Sequence, residues 1–134
     1  MTDIHLIRAP QLADVEYAYA SSVPVGARMI YLAGACPLDA EGAVVGRDDL
    51  TAQTEQCLDN LVAALEAAGA TLTDVVETRV LVASSNRADL ATVWNVYRDR
   101  LGDHDVPSTL IGVAVLGYEN QLVEIEATAA VTPV

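Results

Sequence analysis

The sequence predicts an α+β domain, a mixed β-sheet with two helices packed on one of its faces. Three observations carry that prediction. Residues 49–68 and residues 86–101 repeat apolar side chains at helical spacing. Segments rich in Val, Ile, Thr and Ala lie before, between and after them, bounded by Gly, Pro, Asn and Asp. The chain has 134 residues and shows no internal boundary or low-complexity tract, so one core is expected.

Residues 15–21 and 28–33 read as two strands joined by a turn at Pro24, Val25 and Gly26. Ala33-Gly34-Ala35-Cys36-Pro37 ends the second strand, and Asp39 to Gly42 supplies turn chemistry, with a small extra strand expected near Val44 and Val45. In the first helix Leu50, Cys57, Leu58, Leu61, Val62 and Leu65 mark one face. Asp48 is the expected N-cap and Gly69 the C-terminal stop. A central strand over 74–83 follows, then a second helix whose buried stripe is Leu90, Val93, Trp94, Tyr97 and Leu101. The last two strands are expected over 109–116 and 121–131, completing the order β-β-α-β-α-β-β.

The final strand places Val123, Ile125, Ala127, Ala129 and Val131 on one side and Leu122, Glu124, Glu126, Thr128 and Ala130 on the other. The second side is only partly polar, and its neighbouring strand is apolar on both sides. Two helices cover one face, so the other calls for a second cover, and another subunit is the natural candidate.

Composition narrows the function. A net charge of −12, with seven Arg and no Lys, repels phosphate backbones and argues against nucleic acid as a partner. The absence of Lys excludes Schiff-base chemistry, including pyridoxal phosphate, and no cofactor is expected. His5, His104, Cys36 and Cys57 lack ligand spacing, so no metal site is expected, and two free thiols are the reading of the cysteines. No apolar run approaches the ~20 residues of a membrane helix, and no charged-then-apolar leader opens the chain. A cytoplasmic location without membrane association is the expectation.

The chain resembles the RidA/YjgF family along nearly its whole length. The pieces are Tyr19, Ala33-Gly34-Ala35, Gln53, Leu58-Asp-Asn-Leu61, Ala67-Ala-Gly69, Asp74-Val-Val76, Trp94-Asn-Val-Tyr97 and Glu124-Ile-Glu126-Ala. Each is weak alone; their order and spacing together are specific. The resemblance implies a RidA-like (chorismate-mutase-like) homotrimer with small-molecule clefts between subunits. It also implies hydrolysis of reactive imines or enamines.

In that family a glycine N–H and an arginine hold the substrate carboxylate, while a glutamate positions the attacking water. Carried over, the glycine is Gly34 and the glutamate is Glu124, the catalytic candidate. The resemblance puts the arginine slot at Ser108 and a following family cysteine at Leu110. A serine cannot copy the bidentate, permanently charged grip of Arg. Weak activity on short 2-imino acids is therefore expected, with Tyr19, Gly34, Ser108 and Thr109 as the substrate-binding candidates.

Each residue also has a plainer reading. Glu124 and Glu126 are equally charges on a strand face, and Tyr19 equally a packing residue. Arg79 is a candidate to replace the missing positive charge, or a partner of Glu77 on a neighbouring chain or of Glu126. Trp94 and Tyr97 belong to the core stripe. The rival functions are a metabolite-binding or sensing trimer without chemistry, and a specialised biosynthetic enzyme using the same glutamate on a bulkier ligand.

Overall fold

The computed structural model of the protein describes residues 3–132. Its elements are β1 (His5–Ile7), β2 (Ala20–Ser22), β3 (Arg28–Tyr31), α1 (Leu50–Ala67), β4 (Val75–Val82), α2 (Arg87–Leu101), β5 (Ser108–Gly112) and β6 (Val123–Val131). The main sheet has the order β3-β6-β4-β5, antiparallel except for the parallel pair β4–β5. That parallel pair requires a crossover, which α2 supplies. Both helices pack on one face of this sheet, as the periodicity predicts.

The core lies between helices and sheet. Leu58, Leu61 and Leu65 of α1 and Val93, Tyr97 and Leu101 of α2 meet Val80, Val82, Val123, Ile125 and Ala129. The alternation read from β6 holds as far as Ala129: Val123, Ile125, Ala127 and Ala129 are buried, while Glu124, Glu126 and Thr128 are partly exposed on the opposite side. It breaks at the end of the strand, where Ala130 is fully buried and Val131 only partly so. Around Glu126 and Thr128 that opposite face has no cover among the described residues, and Tyr31, paired with Thr128, is 81% exposed there.

The N-terminal segment departs from expectation. Of the strand expected over 15–21 only Ala20 and Ser21 are paired, in the strand Ala20–Ser22, which runs antiparallel to His5–Ile7, a strand the pattern did not reveal, in a separate two-stranded sheet. Residues before it are held by other contacts: the Ala18 N–H donates to Asp105 O, and Glu16 accepts from Trp94 and Arg98. These polar ties fasten the segment to α2 and the loop after it, not to a sheet.

Three boundaries also move. Asp49, not Asp48, caps α1, its carboxylate accepting from the Ala52 N–H, whereas Asp48 takes a left-handed φ of 61°. The strand expected over 109–116 stops at Gly112, where an added Cβ would lie 2.7 Å from the Ser84 carbonyl oxygen. Val44 makes only an isolated bridge to Leu38. Asn86 caps α2, its side chain accepting from the Ala88 N–H.

Candidate functional site

The catalytic candidate lies on the uncovered face. Strand alternation turns Glu124 away from the helices, and the bridge between Ala35 and Ile125 brings the 34–36 segment alongside it. Gly34 lies so close that a Cβ there would be 2.2 Å from Oε2 of Glu124. A side chain at position 34 would therefore displace the Glu124 carboxylate. The other oxygen is held: Gln121 Nε2 donates to Oε1 at 3.2 Å and the Cys36 thiol at 3.3 Å. Burial, followed by the hydrogen bond and charge of Glu124, pushes the Cys36 thiol up to about 11, so it remains protonated and able to donate.

The other candidates form a second group at the start of the edge strand β5. Tyr19, Ser108 and Thr109 line a cavity of about 740 Å³ together with Tyr17, Trp94 and Leu110. Glu77 and Arg79 stand on the same wall, and Glu124 and Gly34 are not among the lining residues. Tyr17 meets both Tyr19 and Trp94 edge-on, with ring centroids 5.9 and 6.1 Å apart. Their polar tips are already used: Tyr19 OH donates to Ala13 O, and Trp94 Nε1 donates to Glu16. What these two rings have left for a ligand is apolar surface.

Ser108 turns inward. Its register partner is Thr78, and its hydroxyl joins those of Thr78 at 3.0 Å and Tyr97 at 2.7 Å, while Thr78 and Tyr97 are 2.5 Å apart. Ser108 Oγ donates to the Val106 carbonyl at 2.8 Å, which commits its one proton. Burial raises the Tyr97 phenol above its ordinary value, with the two hydroxyl neighbours working against that. Thr109, the next residue, is exposed and pairs with Arg79, which in turn pairs with Glu126. Alternation therefore puts Thr109, not Ser108, on the sheet face that carries Glu124.

Arg79 Nε lies 3.5 Å from Glu126 Oε1, both side chains about half exposed, so the Glu126 pairing is made within the chain. Cys36 and Cys57 are free thiols, and burial raises the Cys57 thiol strongly. Among the described residues no helix is long and apolar enough to cross a membrane, and no group of three or more His, Cys, Asp or Glu is placed to hold a metal.

Sequence reasoning missed Gln121, Cys36 as a partner of Glu124, and Tyr17. The Tyr17-Ala-Tyr19 spacing was a usable signal, since i and i+2 share a face in extended chain. For Gln121 there was none, because its role depends on how residues 113–122 fold back.

A family model described as endoribonuclease L-PSP matches residues 9–131, nearly the whole chain. The chain belongs to the RidA/YjgF family. A RutC family protein of Pyrococcus abyssi is 33% identical over 111 residues, covering 83% of this chain and 84% of that protein. The 2-iminobutanoate/2-iminopropanoate deaminase of Salmonella typhimurium is 34% identical over 114 residues, covering 83% and 85%. Among solved structures, the Rid-family protein of unknown function YyfB from Yersinia pestis superposes with a TM-score of 0.84 at 32% identity, covering 96% of this chain and 98% of that one. RidA from an Antarctic Psychrobacter gives 0.68 at 28%, covering 95% and 99%. The RidA/YjgF fold therefore accounts for the sheet and both helices.

Proposed function

We propose that this RidA/YjgF-family chain hydrolyses a reactive imine, enamine or related carbonyl metabolite, in clefts completed by assembly into a homotrimer in the cytoplasm. The observation that carries the reading is the Glu124 carboxylate lying over Gly34, one oxygen held and the other without a hydrogen bond among the described residues. An imine carbon is already electrophilic, so the protein needs chiefly to orient it and a water. Glu124 takes a proton from water as its oxygen adds to the carbon and passes that proton to the imine nitrogen, which regenerates the carboxylate. The carbinolamine then collapses to a carbonyl and ammonia. Relatives named for 2-iminobutanoate and 2-iminopropanoate support this chemistry at the family level.

The preferred substrate is larger and less dependent on a carboxylate clamp. Thr109 on the exposed face carries no charge, and the Ser108 hydroxyl is spent on Val106. The cavity at Ser108 and Thr109, about 740 Å³ and walled by Tyr17, Tyr19 and Trp94, is of a size that takes drug-like ligands. Nucleic acid fits poorly, because the chain's charge of −12 opposes the phosphate backbone whatever the family model's description.

The test is a coupled assay. Amino-acid oxidase generates imines in situ from short and from aromatic amino acids, and their disappearance is followed with and without the protein. Acceleration that is lost in Glu124→Gln, and is greater for aromatic imines than for 2-iminopropanoate, is expected. No acceleration for any imine would favour the second reading, a metabolite-binding trimer, which draws support from the separation of Glu124 from the aromatic cavity.

A further inference from the structure

Gln121 stands out as a buried polar side chain, 4% exposed. Its Oε1 accepts from the Tyr118 N–H at 3.1 Å, and its Nε2 donates both to Val123 O at 3.0 Å and to Glu124 Oε1. One amide thus fastens the 118–121 turn to the strand and to the carboxylate. Cys36 reaches the same oxygen, and its only other acceptor among the described residues is the Gly34 carbonyl at 3.6 Å.

We infer that Gln121 and Cys36 are positioning residues for Glu124: both hold Oε1, which leaves Oε2, the oxygen beside Gly34, to meet water. This rests on the hydrolytic reading of the site. A carboxylate on a free side chain presents either oxygen in many orientations; two donors on one oxygen select a single presentation. The thiol suits this task because it stays neutral beside a carboxylate, where a charged donor would neutralise the base.

The experiment compares Gln121→Glu, Cys36→Ala and Cys36→Ser with the unaltered protein, by steady-state kinetics on the best imine and by crystal structures. Gln121→Glu keeps an acceptor for the Tyr118 N–H, removes the donor amide and sets a second carboxylate against Oε1 of Glu124. Repulsion thus adds to the lost hydrogen bond, and the Cys36 pair isolates the donor effect. Its kcat is expected to fall about ten- to a hundredfold, the range for a hydrogen bond to a charged group, with KM changed less than about threefold. Cys36→Ala is expected to lower kcat several-fold, and Cys36→Ser, which restores a donor, to recover it. Thermal melts identify any variant that fails to fold, and the Cys36 pair carries the test if Gln121→Glu does. Unchanged kcat in both Gln121→Glu and Cys36→Ala, or a change confined to KM, overturns the inference. If the unaltered protein hydrolyses no imine, the hydrolytic reading fails on its own. The crystal structures then decide the positioning. A Glu124 carboxylate that leaves Gly34 in Gln121→Glu and Cys36→Ala but stays in Cys36→Ser supports it, and one that stays in all three overturns it.

Discussion

Two polar clusters sit on opposite faces of the same sheet, and they are closed to different degrees. Beneath α2, the hydroxyls of Thr78, Tyr97 and Ser108 bond to one another and to Val106 O, so every oxygen is satisfied within the chain. On the uncovered face, Glu124 has one oxygen held by Gln121 and Cys36 and the other meeting no donor among the described residues. A closed network lowers the cost of burying polar groups and has nothing to offer a ligand. A half-closed one fixes a group and leaves part of it available. Substitutions should therefore separate into those that unfold and those that silence.

The largest effect expected is from Glu124→Gln. Loss of a general base typically costs 10²–10⁴-fold in rate, and a partly exposed strand position should keep the melting temperature within about 2 °C. A large drop in melting temperature would place Glu124 with the structural cluster and erase the contrast.

The thiol gives the next largest signal. Cys36 is raised from 9.0 to about 11, so at pH 8 its alkylation by iodoacetamide should be about a hundredfold slower in the folded than in the unfolded protein. The sign follows from which form the fold prefers. The neutral thiol is favoured, so the associated stability is complete below pH 9 and fades as pH rises through about 11. Fast alkylation at pH 8 would mean that Oε1 of Glu124 is not held from that side.

Tyr97→Phe probes the closed network. It strips two hydroxyl neighbours of their partner in a buried site and should cost about 1–3 kcal/mol by denaturant unfolding, with imine turnover retained once folded. Lost turnover at unchanged stability would tie this cluster to the chemistry. The smallest effect is Asp49→Ala at the cap of α1, in neither cluster. It should cost about 1 kcal/mol and leave kinetics untouched, setting the scale for a purely local stability change.

Much of the fold was legible because period is a local property. Leu58, Leu61 and Leu65 mark their buried face by spacing alone, and Val123 to Ala129 do so by alternation. The strand at His5–Ile7 was not legible, since three residues are too few to show a period and its partner lies thirteen or more positions away. In the site, Gly34 and Glu124 were found through resemblance, and the structure shows why they belong together: the carboxylate occupies the space a Cβ would fill. The choice between Ser108 and Thr109 turned on a single step of register, and a one-residue step in a strand moves a side chain to the opposite face.

The sequence by itself determined the class of fold, the helix faces, the acidic surface and the two-sided character of β6, because each follows from residue types at fixed spacing. Only the tertiary structure decided which oxygen of Glu124 is held, that Gln121 and Cys36 hold it, and that Ser108 is turned inward. Those outcomes depend on chain segments up to 88 positions apart meeting within hydrogen-bond distance. No local pattern encodes such a meeting; it is set when the sheet pairs and the loops close over its edge.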